Sequence, residues 1–433
     1  MALNLLTAND RSGEYPGSYY AATADLLAPF ARAEGAMKGD VCVIGGGFTG
    51  LSAALHLAQA GYDVVLLEAQ RVGFGASGRN GGQVGMGQRL AQDELEKMLG
   101  KSHARALWDL AVEGVDLTRK LAREGGVAFH DGIIHADHKS SLTAKHHEYV
   151  DKIRSEYGYD RLRSLSKDEV RELVGSSAYH SGSIDMGSGH LHPLNYALAL
   201  VRACVVAGVR ICENSTVTEV VEGPSARVKT DMGEVTADYV LYACNGYLGK
   251  LQGRVAARMM PINNFIVATE PLSPEVQEGL IQGNYAVADS KFVVNYFRFS
   301  DDGRMLFGGV ESYGYRFPKD IRALVSKPML EIYPQLHGVK LGYAWGGTLG
   351  ITMNRMPHFA RLSGNILSAS GYSGHGVAMA TLSGKLMAEA VQGQAERFDI
   401  LAEVPTPRFP GGVALRSPLL VLAMLWYSLR DRM

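Results

Sequence analysis

Apolar positions fall into two spacings along the chain. Residues 41–44 (Val-Cys-Val-Ile) and 64–67 (Val-Val-Leu-Leu) are short unbroken apolar runs, the pattern of strands buried on both faces of a parallel sheet. Between them, residues 51–60 carry small and apolar side chains at helical spacing and stop at Gly61. Further strands are predicted at 216–221, 226–230 and 234–243, the last two joined by the hairpin turn Asp231-Met232-Gly233. A second hairpin is expected from 292–299 and 305–309 around Asp301-Asp302-Gly303, with Tyr296 and Arg298 on one face by strand parity. Leu107, Leu110, Ala111, Val115 and Leu121 mark an amphipathic helix. Residues 366–369 read as a strand that turns through glycines into an apolar helix over 377–391. Alternating elements of this kind predict an α/β body with an α+β part.

The first strand runs directly into Gly45-Gly46-Gly47-Phe48-Thr49-Gly50, and the second ends at Glu68-Ala69. Strand, GxGxxG turn, helix, strand and acid in this order are the dinucleotide-binding fingerprint. Gly45 permits the tight turn, Gly47 lets backbone approach a pyrophosphate, and Gly50 lets helix and strand pack closely. The helix end at Phe48 and Thr49 offers N–H groups and a positive dipole to phosphate. Glu68 can accept hydrogen bonds from ribose hydroxyls and would repel a 2′-phosphate, which disfavours NADP. The fingerprint alone does not separate FAD from NAD. The glycine-dense loop that follows, with Gly75, Ala76, Ser77, Arg79, Asn80, Gly81, Gly82 and Gln83, suits backbone contact with a large flat ligand.

The chain has 433 residues, with 43 Lys plus Arg against 44 Asp plus Glu, so it lacks the basic surplus of a nucleic-acid binder. Its length exceeds what one hydrophobic core usually serves, which predicts more than one domain. The four cysteines, Cys42, Cys204, Cys212 and Cys244, form no CxxC pair, so neither a disulfide framework nor a cysteine zinc site is expected. No metal site is assigned: His190 and His192 have no third ligand nearby in sequence, and Pro193 starts a helix beside them. The N-terminus lacks the layout of a secretory signal, no run is long enough to cross a membrane as a helix, and a cytoplasmic location is expected. The apolar segment 418–427 is read either as packing on the protein or a partner subunit, or as a peripheral membrane contact.

Taken with GGGFTG, LLEA and ASGRNGG, the later runs SYYAATA (18–24), GHLHPLN (189–195), ADYVLYACNGYLG (237–249), GYSGHGVAMA (371–380), RFPGG (408–412) and YSLRDR (427–432) resemble the FAD-dependent D-amino-acid oxidase, glycine oxidase and sarcosine oxidase superfamily. The resemblance covers almost the whole chain. It implies a Rossmann-like FAD-binding domain interleaved with an antiparallel-sheet substrate domain. The expected segments are an arm at 1–38, the FAD domain at 39–95, 181–255 and 345–400, the substrate domain at 96–180 and 256–344, and a tail at 401–433. It implies a backbone contact to adenine at Val217 and a return to the dinucleotide at Asn245 and Gly246. Gly346 lies on the return strand, and Gly371, Tyr372, Ser373, Gly374, His375 and Gly376 form a second turn facing the flavin. Catalytic candidates are His375, Tyr372, Trp345 and Arg298. His375 is read as a flavin contact or a structural turn histidine, Trp345 as an active-site wall or a core aromatic, and Arg298 as a substrate contact or a structural ion pair. With neither His nor Cys between Arg71 and Leu90, attachment of FAD through this loop is excluded; with no Cys in 345–380 either, it is expected to be non-covalent. The expected partners are a small-molecule amine, gamma-glutamylputrescine or a related polyamine derivative, and O2 or an electron carrier. The alternatives are a D-amino acid, glycine or N-methyl amine as donor, or quinone as acceptor.

Overall fold

The structure, a computed structural model, describes residues 4–410. The 418–427 segment, and with it the expected membrane contact, lies outside the described residues.

An eight-stranded sheet forms around the first apolar run. Its strands lie in the order His358–Ser363, Ile366–Ser370, Gly233–Tyr242, Gly35–Ile44, Val64–Leu67 and Arg210–Cys212, with the meander Val217–Val221 and Ala226–Thr230 joined to Gly233–Tyr242. Ile366–Ser370 and the four strands after it run parallel. Alternate side chains explain the unbroken apolar run. Val41, Val43 and Leu66 enter the core under helices Phe48–Gln59 and Val377–Val391, while Cys42, Ile44, Val65 and Leu67 meet the meander through Ala226, Val228 and Val235.

The second sheet has nine strands, ordered Leu341–Ile351, Met260–Thr269, Met305–Ser312, Tyr296–Phe299, Ala286–Asp289, Phe129–Asp137, Ser181–Leu191 and Gln83–Val84, with Leu162–Leu165 beside Ser181–Leu191. It too alternates: Phe265, Val267, Phe297 and Phe307 pack with Val325 and Met329 of helix Ile321–Ile332, whereas Ile266, Ala268, Leu306 and Trp345 join the core of the first sheet. The expected hairpin is present, with Tyr296 opposite Gly308 and Phe299 opposite Met305, although its first strand begins only at Tyr296.

Sheet membership departs from the expected segments at three places. Gln83–Val84, Ser181–Leu191 and Leu341–Ile351 pair within the second sheet. Helix Lys101–Glu124, expected over the substrate part, packs on the FAD side, with Gly114 against Ala378 and Leu382. The N-terminal arm is built into the body: it forms helix Tyr19–Thr23, and Tyr20 is fully buried beside Trp345.

Candidate active site

A cavity of about 1130 Å³ runs between the sheets, from Glu68 and residues 216–220 at one end to Arg89, Phe292, Glu311 and Arg355 at the other. That exceeds the upper part of the roughly 300–1,000 Å³ range of small-ligand pockets.

The first wall is the glycine turn. Gly45 has φ +110°, a region that favours glycine, and a Cβ there would sit 2.7 Å from the Ala243 oxygen. A Cβ on Gly50 would sit 1.9 Å from the Gly45 oxygen, so only glycine lets the helix start this close to its strand. Phe48 N–H donates to Ser77 Oγ at 2.9 Å, binding the helix end to the 75–83 loop. Glu68 accepts from Gly46 N–H at 2.7 Å through one oxygen and from Gln70 N–H at 2.8 Å through the other. Burial pushes its carboxyl up to about 7, against the effect of those two donors. Val217, Ala69, Thr216, Glu219 and Lys250 surround this end.

The loop from Gly75 is held from behind. Asn80 Oδ1 accepts from Gly82 N–H at 2.7 Å. Arg79 donates to the Phe74 oxygen at 2.6 Å and pairs with Asp10 at 2.9 Å, and its Nη2 is buried without a hydrogen-bond partner. Gln83 Nε2 donates to the Val287 oxygen at 2.9 Å.

The second turn closes the opposite wall. Asn245 Oδ1 accepts from Gly371 N–H at 2.9 Å, and Ser373 N–H donates to the Gly350 oxygen at 3.1 Å, so both halves of the molecule meet here. Tyr372 and Thr49 hydroxyls lie 2.7 Å apart, joining the two helix entrances. His375 Nε2 lies 3.1 Å from the Gly87 oxygen, which only accepts, so this nitrogen carries the proton. Burial and the charge of Arg89 lower the His375 pKa to about 4, leaving the ring neutral at physiological pH. Helix Val377–Val391 starts at the cavity, and its positive end favours negative charge there.

Most of the expected cofactor residues line this cavity: Gly45, Gly47, Phe48, Thr49, Glu68, Ala69, Gly75, Ala76, Ser77, Arg79, Asn80, Gly81, Gln83, Val217, Asn245, Gly246, Tyr372, Ser373, Gly374, His375 and Gly376. Gly50, Gly82, Gly346 and Gly371 stand behind it, against neighbouring backbone or side chains. Two catalytic candidates are also behind the wall. Trp345, 3% exposed, donates Nε1–H to the Arg79 oxygen at 3.0 Å, which makes it a core aromatic. Arg298, 4% exposed, donates to the oxygens of Gly81 at 2.7 Å, Leu191 at 2.9 Å and Phe299 at 2.9 Å, and forms no ion pair among the described residues. Parity with Tyr296 was correct, but the 81–82 backbone covers that face. His190 and His192 are structural as well: His190 meets the Asn284 oxygen at 2.8 Å, and His192 caps helix Pro193–Val206 by accepting from Asn195 N–H.

Sequence reasoning did not single out Arg89, Glu311 or Arg355, all of which line the cavity. They come from three separate segments with no shared local motif.

A family model described as FAD dependent oxidoreductase matches residues 40–390. The chain belongs to the FAD dependent oxidoreductase family. Members of this family close to it in sequence include the probable oxidoreductase OrdL of Rhizobium meliloti (strain 1021), 43% identical over 96% of this chain and 98% of that one. The gamma-glutamylputrescine oxidoreductase of Escherichia coli (strain K12) is 42% identical over 97% of this chain and 99% of that one. The crystal structure of glycine oxidase from Geobacillus kaustophilus shares the fold, with a TM-score of 0.71 at 21% identity over 83% of this chain and 95% of that one. This FAD dependent oxidoreductase is therefore an enzyme with a flavin site, and its residues fit the cofactor. The Gly45–Gly50 cradle leaves room for a pyrophosphate, Glu68 lines the cavity that a ribose would enter, and Arg79, which also lines it, has a buried Nη2 with no hydrogen-bond partner among the described residues. No helix among the described residues is long and apolar enough to cross a membrane.

Proposed function

We propose that the protein oxidises gamma-glutamylputrescine, or a related polyamine derivative, at the carbon bearing the primary amine. The product is an imine, which water hydrolyses to an aldehyde and ammonia. FAD, which the first glycine turn, the 75–83 loop and the second glycine turn would hold, would supply the hydride acceptor, with O2 as the final acceptor giving H2O2. The observation that carries this reading is the end-to-end likeness to the E. coli gamma-glutamylputrescine oxidoreductase.

The chain's own contribution is binding and electrostatics. Glu68 and the first glycine turn hold the adenosine and pyrophosphate portion, with the 75–83 loop behind it. The second turn and the end of helix Val377–Val391 favour the negative charge that develops on reduction. A primary ammonium entering the cavity loses hydration, which lowers its pKa and favours the neutral amine whose lone pair assists C–H cleavage. Neutral His375 and Tyr372, whose pKa burial raises to about 12, add no charge to the reacting region. No residue is assigned as a base, because desolvation of the amine suffices.

A substrate panel with peroxide detection tests this. Gamma-glutamylputrescine should exceed glycine, sarcosine, D-alanine and free putrescine in kcat/KM. Preference for an α-amino acid would overturn the reading, and fast dye reduction with slow peroxide formation would replace O2 by another acceptor.

A further inference from the structure

We propose that Arg89, Arg355 and Glu311 form the subsite for the α-amino-carboxylate head of a gamma-glutamyl amide, the two guanidinium groups taking the carboxylate and Glu311 the α-ammonium. This rests on the substrate reading above and assigns its specificity to named side chains.

The three residues line the cavity end remote from Glu68. Arg89 follows the glycine loop, Arg355 lies in the turn after strand Leu341–Ile351, and Glu311 is on strand Met305–Ser312. They act electrostatically on one another, yet no ion pair within 4 Å joins them among the described residues. Arg89 lines the cavity, and its guanidinium has no hydrogen bond there. The Arg355 guanidinium lies over the Phe292 ring, 5.4 Å from its centroid, and is likewise without a hydrogen bond. Among the described residues the Glu311 carboxylate accepts only from the Tyr313 hydroxyl, at 3.2 Å.

The contrast with Arg298 is informative, since that side chain spends its donors on the backbone oxygens of Gly81, Leu191 and Phe299. A charged group left unspent inside a cavity is costly unless a ligand supplies the counter-charge. Two forks and one carboxylate, held apart, are complementary to one carboxylate and one ammonium on a single carbon. A free diamine would bring an ammonium to the two guanidinium groups, so the same subsite rejects it. Arg355 has φ +66°, which favours glycine, and Arg355→Gly therefore removes the charge without loading the backbone.

The test compares three amides of putrescine that differ only in the head: gamma-glutamyl, glutaryl (no α-amine) and butyryl (neither charge). Wild-type kcat/KM should fall in that order, by about tenfold or more overall, as expected when charge-assisted hydrogen bonds are lost. Arg355→Gly and Arg89→Met should collapse the glutaryl-to-butyryl ratio, and Glu311→Gln the gamma-glutamyl-to-glutaryl ratio. Equal wild-type turnover of all three overturns the subsite without any variant being needed. So do unchanged ratios in variants that retain FAD. If no putrescine amide is oxidised but another amine is, the substrate reading itself has failed, which is a different result.

Discussion

At the Glu68 end of the cavity, polar groups are committed within the protein: both carboxylate oxygens accept backbone N–H groups, Asn80 holds the loop and Ser77 holds the helix end. At the Arg355 end, Arg89 and Arg355 spend no guanidinium donor among the described residues, and Glu311 accepts there from a single hydroxyl. The first end is a mould of backbone, shaped in advance for a ligand that stays. The second is a set of side-chain charges awaiting one that comes and goes. Substitutions at the first should therefore cost folding or FAD, and those at the second should cost substrate selection alone.

The largest effect is expected from Gly50→Val, whose Cβ would fall 1.9 Å from the Gly45 oxygen. The purified variant should carry no flavin absorbance; normal FAD content would break the mould description. Arg298→Met should come next. It leaves the oxygens of Gly81, Leu191 and Phe299 without their donor and should lower stability by about 3 kcal/mol or more, measured by denaturant unfolding. Its preference among putrescine amides should be that of wild type.

Glu68→Gln should weaken FAD binding by about 1.5–3 kcal/mol, roughly ten- to a hundredfold in Kd by titration. It also carries a pH signature in FAD-free protein. The folded carboxyl titrates at about 7, above the ordinary 4.5, so protonation favours the fold. The stability of wild type relative to Glu68→Gln is thus greatest below about 4.5 and falls as pH rises through 7. A difference that is flat with pH would contradict the burial of this carboxylate. Tyr372→Phe removes one hydroxyl contact to Thr49 and should cost about 1 kcal/mol. Arg355→Gly should change stability least, within about 0.5 kcal/mol by thermal melting.

The same division governs what could be read from the chain. The glycine turn, helix Phe48–Gln59 and Glu68 are legible because their physics is local: one turn, one helix end and one acid within a single βαβ unit. The hairpin at Tyr296 was legible from alternation and turn residues, yet alternation says which side chains share a face and not what covers it. Arg298 was misplaced for that reason, since the backbone of 81–82 lies on the face it shares with Tyr296. The burial of Tyr20 from an irregular arm, and the meeting of Arg89, Glu311 and Arg355, depend on contacts between distant segments. No spacing rule reaches across them.

The central claim is that one cavity holds FAD at the Glu68 end and a gamma-glutamyl amine towards the Arg355 end. Anaerobic addition of gamma-glutamylputrescine to the FAD-loaded protein, followed through the visible flavin band, tests it in one step. The account predicts complete bleaching at a rate that saturates with substrate. A band that persists with this amine but bleaches with glycine or a D-amino acid would contradict it.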